Sequence, residues 1–374
     1  MKIALVQDWL TELGGAEKVF QAIYQLYPNA DIYTLVYNRK VLEKMNIAEE
    51  KVTSSFIQQF PFGKTKYRNY LPFFPKAIES FDLSTYDLII SSSYSVAKGI
   101  CTNSNQSHIC YCDSSVRYAW DLYDQYLTES NLKKGLKSMI VKHYLHKLRT
   151  WDIISTNRVD YFICNSNYIK KRIAKIYRRD AEVIYPPVAV VDFPFNKKKE
   201  SYFITCSRLV PYKRIDLIVR TFSLFPNLKL KVLGDGPEMK RIKALAKSNV
   251  EILGYQSDEI LRSELSKARA FVFAAEEDFG ILPIEAQACG TPVIAYKKGG
   301  VLETVIENET GIFFNEQTVT SLSKGIEKFL SVENDFTHEK IRENSFRFID
   351  AKFNEAFVKF VNNHVNKICL NNNR

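Results

Sequence analysis

The sequence predicts an α/β protein of two doubly wound domains, each a parallel sheet covered by helices on both faces. Three observations predict it. Short apolar runs alternate with longer helical patterns along the whole 374-residue chain, which is the rhythm of strand, crossover helix and parallel strand. That length is enough for two ordinary domains, each with its own core. The rhythm also breaks only once, at Tyr185-Pro186-Pro187-Val188 and the polar residues 196–200, and then starts again. The expected division is 1–192, 193–345 and a helical segment 346–374 that returns toward the first domain.

Each element has a local reason. Residues 2–6 are an apolar strand, and a helix over about 16–27 follows Gly14-Gly15 and stops at Pro28, because proline cannot continue a helix. Further strands are expected at 86–91, 106–112 and 160–164. In the second half, strands are expected at 202–206, 228–233, 250–253, 269–275 and 292–295. The loop 207–214 leads into a helix ending near Leu224. Gly234-Asp235-Gly236-Pro237 turns into one ending near Ser248, and Gly254 opens the next loop. Pro283 sits where a first helical turn accepts proline, so a helix covers about 282–289, ended by Gly290 and Pro292. Gly299-Gly300 leads into a helix carrying Glu303, and Phe353, Phe357, Phe360 and Val361 at helical spacing predict a last helix packed on a domain.

A hydrophobic content of 46% with 25% charge is that of a folded chain, not a disordered one. No apolar run approaches the roughly 20 residues that span a bilayer, and the apolar core at the N-terminus is too short for a secretory signal, so a cytoplasmic location is expected. The seven cysteines, at 101, 110, 112, 164, 206, 289 and 369, form no Cys-x-x-Cys pair. That pattern points to buried free thiols and away from zinc. The net charge of +10 suits an acidic partner, but the excess is spread over both halves and identifies none. Nothing resembles a nucleic-acid reading module.

The basic stretch 131–151 holds Lys133, Lys134, Lys137, Lys142, Lys147 and Arg149 with no acid, and an apolar set at Leu132, Leu136, Met139, Ile140, Leu145 and Leu148. Two readings stand: an ordinary amphipathic helix with a solvated face, or a peripheral surface resting on anionic lipid.

Glu277 and Glu285 frame a loop and the first turns of a helix at the carboxyl end of a strand, where open parallel sheets bind ligands. Three roles are open to them. They can partner a helix dipole. They can accept hydrogen bonds from hydroxyls while backbone N–H groups around Phe279, Gly280, Ile281 and Leu282 hold a phosphate, as a nucleotide sugar would require. Or they can form a glycosidase acid pair. Arg208 and Lys213 follow another strand, in a loop that is either simply solvated or placed to neutralise a diphosphate.

Seven segments taken together resemble the family 4 glycosyltransferases of the GT-B fold, in particular their bacterial mannosyltransferase-like branch acting in O-antigen and surface-polysaccharide assembly. They are DWLTELGGAEKV at 8–19, ESFDLSTYDLIISSSYSVAKG at 79–99, HICYCDSSVRYAWD at 108–121, SRLVPYKRID at 207–216, LGDGPE at 233–238, EEDFGILPIEAQACGTPVIA at 276–295 and GGVLETV at 299–305. The resemblance implies two Rossmann-like domains facing across a cleft. It implies a retaining, metal-independent transfer of a hexose, with mannose from GDP-mannose as the leading donor, to a glycan or lipid-diphosphate-linked acceptor. Glu285 would bind the donor ribose, Glu277 the transferred sugar, and Arg208 and Lys213 the diphosphate. Gly14 and Gly15 would approach the donor from the first domain, Gly234, Gly254 and residues 279–282 would line its site, and Lys98 and Arg117 would lie on the acceptor side. Both glutamates then read as donor ligands, since a glycosidase pair must flank the scissile bond. Asp113-Ser114-Ser115 stands where close relatives carry His-Thr-Pro. An ionised aspartate cannot donate a hydrogen bond, so a UDP-sugar donor, or an inactive nucleotide-sugar-binding or partner-binding relative, remain the alternatives. His108 reads as a strand residue.

Overall fold

Thirteen strands occur among the described residues, in two sheets whose pairings are all parallel. The computed structural model describes residues 1–129 and 132–371. Asn131, where the expected basic stretch begins, and the last residues of the expected C-terminal segment, 372–374, lie outside them, as does the Cys369 side chain.

The chain divides into two units, 1–187 with 353–374, and 188–352. In unit 1 the strands are β1 (Ile3–Gln7), β2 (Asp31–Thr34), β3 (Val52–Ser54), β4 (Leu88–Ser93), β5 (Ser107–Cys112), β6 (Tyr161–Cys164) and β7 (Ala181–Val183), in the order β3-β2-β1-β4-β5-β6-β7. Alternate residues serve opposite faces. Leu5, Leu88 and Ile90 pack with Phe20 and Ile23 of the Gly15–Leu26 helix, while Ala4, Val6 and Ile89 pack with Phe74 and Ile78. A strand buried on both faces reads as a continuous apolar run. The last helix, Asp350–Asn371, lays Phe353, Phe357 and Phe360 into the first of these cores, beside Tyr111.

Unit 2 has β8 (Tyr202–Cys206), β9 (Lys229–Leu233), β10 (Val250–Gly254), β11 (Ala270–Phe273), β12 (Val293–Tyr296) and β13 (Gly311–Phe314), in the order β10-β9-β8-β11-β12-β13. Phe203, Val232, Val272 and Ile294 form its core with Ile218, Phe222 and Phe329 from the covering helices.

Three expectations need correction. The first boundary falls before Val188, not after Asp192: the Val188 N–H donates to the Phe348 carbonyl at 2.8 Å, and Asp192 pairs with Arg262 at 3.2 Å, both within unit 2. Residues 346–352 also stay with unit 2, because the buried Phe348 ring packs on Phe279 with centroids 5.6 Å apart. The basic helix runs Leu136–Ser155, and the expected apolar set splits: Leu145 and Leu148 are buried, while Leu136, Met139 and Ile140 are exposed. Among the described residues no helix is long and apolar enough to cross a membrane. Of the cysteines described, Cys101 is exposed and the others are buried as free thiols.

Candidate functional site

Ligands of doubly wound sheets bind where the strand order reverses, beyond the carboxyl ends of the strands. In unit 2 that place is between β8 and β11. The loop after β8 carries Arg208 and Lys213, and the loop after β11 carries Glu277. Folding therefore brings together residues that lie 64 positions apart in sequence: the Lys213 ammonium is ion-paired with the Glu277 carboxylate. Arg208, in the same loop as Lys213, is exposed.

Both loops are shaped from behind by glycines. A side chain at Gly234 would put its Cβ 1.8 Å from the Ser207 carbonyl oxygen, and one at Gly236 would put it 2.5 Å from that of Leu209. The loop after β9 thus lies directly under the loop that holds Arg208, tied by the Leu209 N–H to the Asp235 carbonyl at 2.9 Å. Gly299 and Gly300 do the same for Glu277. The Gly300 N–H donates to the Glu277 carbonyl at 2.8 Å, and a Cβ on either glycine would come within 2.4 Å of the backbone at 277–279. Gly254 ends β10, and its carbonyl accepts from the Gly234 N–H at 2.7 Å.

The helix after β11 is Ile281–Ala288, with Gly280 as its N-cap and Ile281 and Leu282 half-buried in its first turn. Glu285 points from this helix as a buried carboxylate, 6% exposed. Its position shows in Cys206, at the end of β8. Burial pushes that thiol well up, the Glu285 charge adds to the rise, and Lys213 opposes it. Glu285 and Lys213 therefore both act on the end of β8, and Glu277 is tied to it through its ion pair with Lys213. Phe279 is buried against Phe348, so it supports the loop from inside the unit.

The remaining expected residues belong to unit 1, where the strand order reverses between β1 and β4. Asp8, just beyond β1, was not singled out from sequence, yet it fills this position. Its carboxylate accepts the N–H groups of Tyr94, Ser95, Val96 and Ala97 at 2.6 to 2.8 Å. Burial raises its pKa, and those donors pull the other way. Glu17 was also missed. It is buried in the first turn after Gly14-Gly15, accepts from the Gly14 N–H at 3.0 Å and from the Tyr94 hydroxyl at 2.9 Å, and burial pushes its carboxyl up to about 7. The only signal was an acid placed just after a strand or a glycine pair inside a mostly apolar block.

Asp113 follows β5, is buried, and accepts from the Ser92 hydroxyl at 3.0 Å. Its own carbonyl accepts from Asn165 at 2.8 Å. His108 is a strand residue as read: its ring lies between the Ser91 hydroxyl and the Arg158 carbonyl, and burial lowers its pKa to about 4. Lys98, expected on the acceptor side, is instead 1% exposed, with its ammonium 2.5 Å from Asp152 and its charge spent inside the unit. Arg117 is half-buried.

Residues 191–348, nearly all of unit 2, match the family of glycosyl transferases group 1. An uncharacterized glycosyltransferase of Methanocaldococcus jannaschii is 28% identical over 204 residues, covering 53% of this chain and 57% of that protein. The O-antigen chain mannosyltransferase of Salmonella typhimurium is 32% identical over 152 residues, covering 38% of this chain and 43% of that protein. The chain thus spans about half the length of the curated relatives it matches. The crystal structure of Anabaena HepE in complex with UDP superimposes with a TM-score of 0.70 at 17% identity, over 97% of this chain and 100% of that one, a likeness of fold. The two parallel-sheet units are those of the GT-B fold, and the second of them, over residues 191–348, matches the group 1 glycosyl transferases.

Proposed function

We propose that the protein is a retaining, metal-independent hexosyltransferase that takes mannose from GDP-mannose and transfers it to a glycan or lipid-diphosphate-linked acceptor in surface-polysaccharide synthesis, working in the cytoplasm at the inner face of the membrane. The observation that carries this reading is the clustering of Lys213, Glu277 and Glu285 at the strand-order reversal of the unit that matches the family. A nucleotide sugar has three parts, and the cluster offers a partner for each. Glu285, buried and held on a helix, accepts from the ribose hydroxyls. Glu277 accepts from the hydroxyls of the sugar. Lys213, with Arg208 from the same loop, stabilises the charge that grows on the diphosphate as the glycosidic bond breaks. The Lys213 and Glu277 pairing aligns the last two roles, since one side chain orients the other. Two fixed cations do here what a divalent ion does in other transferases.

The mannose donor rests on the resemblance to mannosyltransferases such as the Salmonella relative. A UDP-sugar is the second reading, favoured by the fold likeness to a protein crystallised with UDP. An inactive binding relative is the third, favoured by Asp113 in place of histidine. A panel of GDP- and UDP-sugars, assayed for donor hydrolysis with and without chelator, separates all three. Turnover that requires added divalent metal, or a preferred donor other than GDP-mannose, would sink the corresponding part of the proposal. Binding without any turnover would leave the inactive reading standing.

A further inference from the structure

The Leu136–Ser155 helix buries Ser138, Leu145, Leu148 and Asp152 on one side. Leu136, Met139, Ile140 and Tyr144 lie on the other, 75, 69, 51 and 45% exposed. Spacings of three, four and eight place these four on one helical face, opposite the face that packs. Their apolar surface serves no core of their own unit. Exposed Lys133, Lys134 and Lys137 stand around it.

A second segment of unit 1 repeats the composition. Residues 51–78 contain no acid, in a chain with 42 of them, and include Lys64, Lys66 and Arg68, all exposed. Phe62 and Phe73 are 70 and 47% exposed. Phe62 is held at a turn in the left-handed conformation, φ 56°, which costs a residue with a side chain energy. The two segments meet on the packed side of the long helix, so the second is a separate basic and aromatic surface. Leu71, from the Tyr67–Phe73 3-10 helix, packs in the same small cluster as Leu145 and Leu148 of the long helix. An ordinary solvated surface mixes both signs of charge and avoids apolar patches. The helix face has Leu136, Met139, Ile140 and Tyr144 outward, exposed lysines around them and no acid from 131 to 151.

We infer that this face of the helix is a membrane-docking surface: Leu136, Met139 and Ile140 enter the boundary between headgroups and acyl chains, and the surrounding lysines pair with anionic lipid phosphates. The inference deepens the proposal of a lipid-linked acceptor and rests on it for its purpose. Lipid binding is measured without donor or acceptor, so failure of either reading is visible separately. The occupant is a bilayer and not a second copy of the chain, because a like copy would bring the same cations against these cations.

The test is co-sedimentation of the full chain with vesicles of phosphatidylglycerol in phosphatidylcholine, and with phosphatidylcholine alone, at about 0.1 M and about 0.5 M salt. The parent should prefer the anionic vesicles and keep part of its binding at the higher salt. Leu136→Ser, Met139→Ser and Ile140→Ser together should weaken binding by about ten-fold or more at both salt levels, as lost apolar insertion does. Lys133→Glu, Lys134→Glu and Lys137→Glu together should abolish the preference for anionic lipid. All six sites are exposed, and an unchanged melting curve verifies the fold. A Met139→Trp variant reports the same event directly through a blue shift of its emission on anionic vesicles. A serine variant that binds like the parent, or a parent that binds neither vesicle, overturns the inference. So does a parent that sediments as a dimer, becomes monomeric in the serine variant and ignores lipid, since a second copy would then cover the surface.

Discussion

Glu17 allows a prediction whose size follows from its surroundings. Its carboxyl is moved by burial from 4.5 in a free chain to about 7 in the fold, despite the hydrogen bonds it accepts from Tyr94 and Gly14. Below pH 4.5 folded and unfolded chains both hold the proton and the residue costs nothing. As pH rises the unfolded chain ionises first, so stability is lost progressively until the folded carboxyl also ionises near 7. At about 1.4 kcal/mol per pH unit, the loss amounts to about 3 kcal/mol between those limits. Glu17→Gln removes the titration and keeps the contacts: its amide oxygen accepts from the Gly14 N–H, and its NH2 donates to a reversed Tyr94 hydroxyl. Relative to the parent, the variant should therefore gain about 3 kcal/mol on going from about pH 4.5 to about pH 8. The assay is urea unfolding followed by tryptophan fluorescence. The chain's three tryptophans, Trp9, Trp120 and Trp151, all lie in unit 1, so the signal reports that unit even if the two unfold separately. Comparing parent and variant cancels the other groups that titrate in this range, His108 among them. Parallel stability curves over the interval would show that Glu17 ionises as readily folded as unfolded, and the reasoning from burial would fail.

Arg208→Ala and Lys213→Ala should each lower kcat/KM by about 100-fold or more, if each cation supplies roughly 3 kcal/mol to the transition state; near-normal turnover in both, on the preferred donor, would remove the diphosphate role. Lys98→Met leaves Asp152 as a buried charge without its cation and should destabilise unit 1 by about 3 to 5 kcal/mol, read by the same fluorescence, while nucleotide affinity measured by calorimetry stays unchanged. Asp113→His should reorder the donor panel more than it changes affinity for the free nucleoside diphosphate, because the proposed diphosphate partners, Arg208 and Lys213, are in unit 2; an unaltered ranking would show that Asp113 does not face the sugar.

The strands that the sequence exposes are those whose burial on both faces makes an unbroken apolar run, such as Tyr202–Cys206, found where expected. Val52–Ser54 and Ala181–Val183 escaped because they are three-residue edge strands, too short to show a period. Asp31–Thr34 begins on an acid and alternates polar with apolar, so it reads as easily for a loop. The loops of the site were legible because glycine pairs and acids stand out between apolar runs. Their pairing was not, since the Lys213 and Glu277 contact exists only once β8 and β11 are neighbours. Asp8 and Tyr94 escaped for the same reason, because β1 pairs with β4 across two intervening strands. In the basic helix the sequence does not sort the buried Leu145 and Leu148 from the exposed Leu136, Met139 and Ile140. Spacing identifies which side chains share a face, but not whether that face meets the core.

The contact between Gly299-Gly300 and the backbone at 277–279 bears on how such a protein can be recombined. Donor choice invites grafting of the 276–289 segment from one relative onto another. The graft carries its own floor only if residues 299 and 300 travel with it, because a host with side chains there would push the Glu277 carbonyl off its seat while leaving every ligand-facing residue in place. Such a chimera would look complete in an alignment and fail in the test tube. The unit of exchange is therefore the whole stretch from β11 through Gly300, inherited as one block.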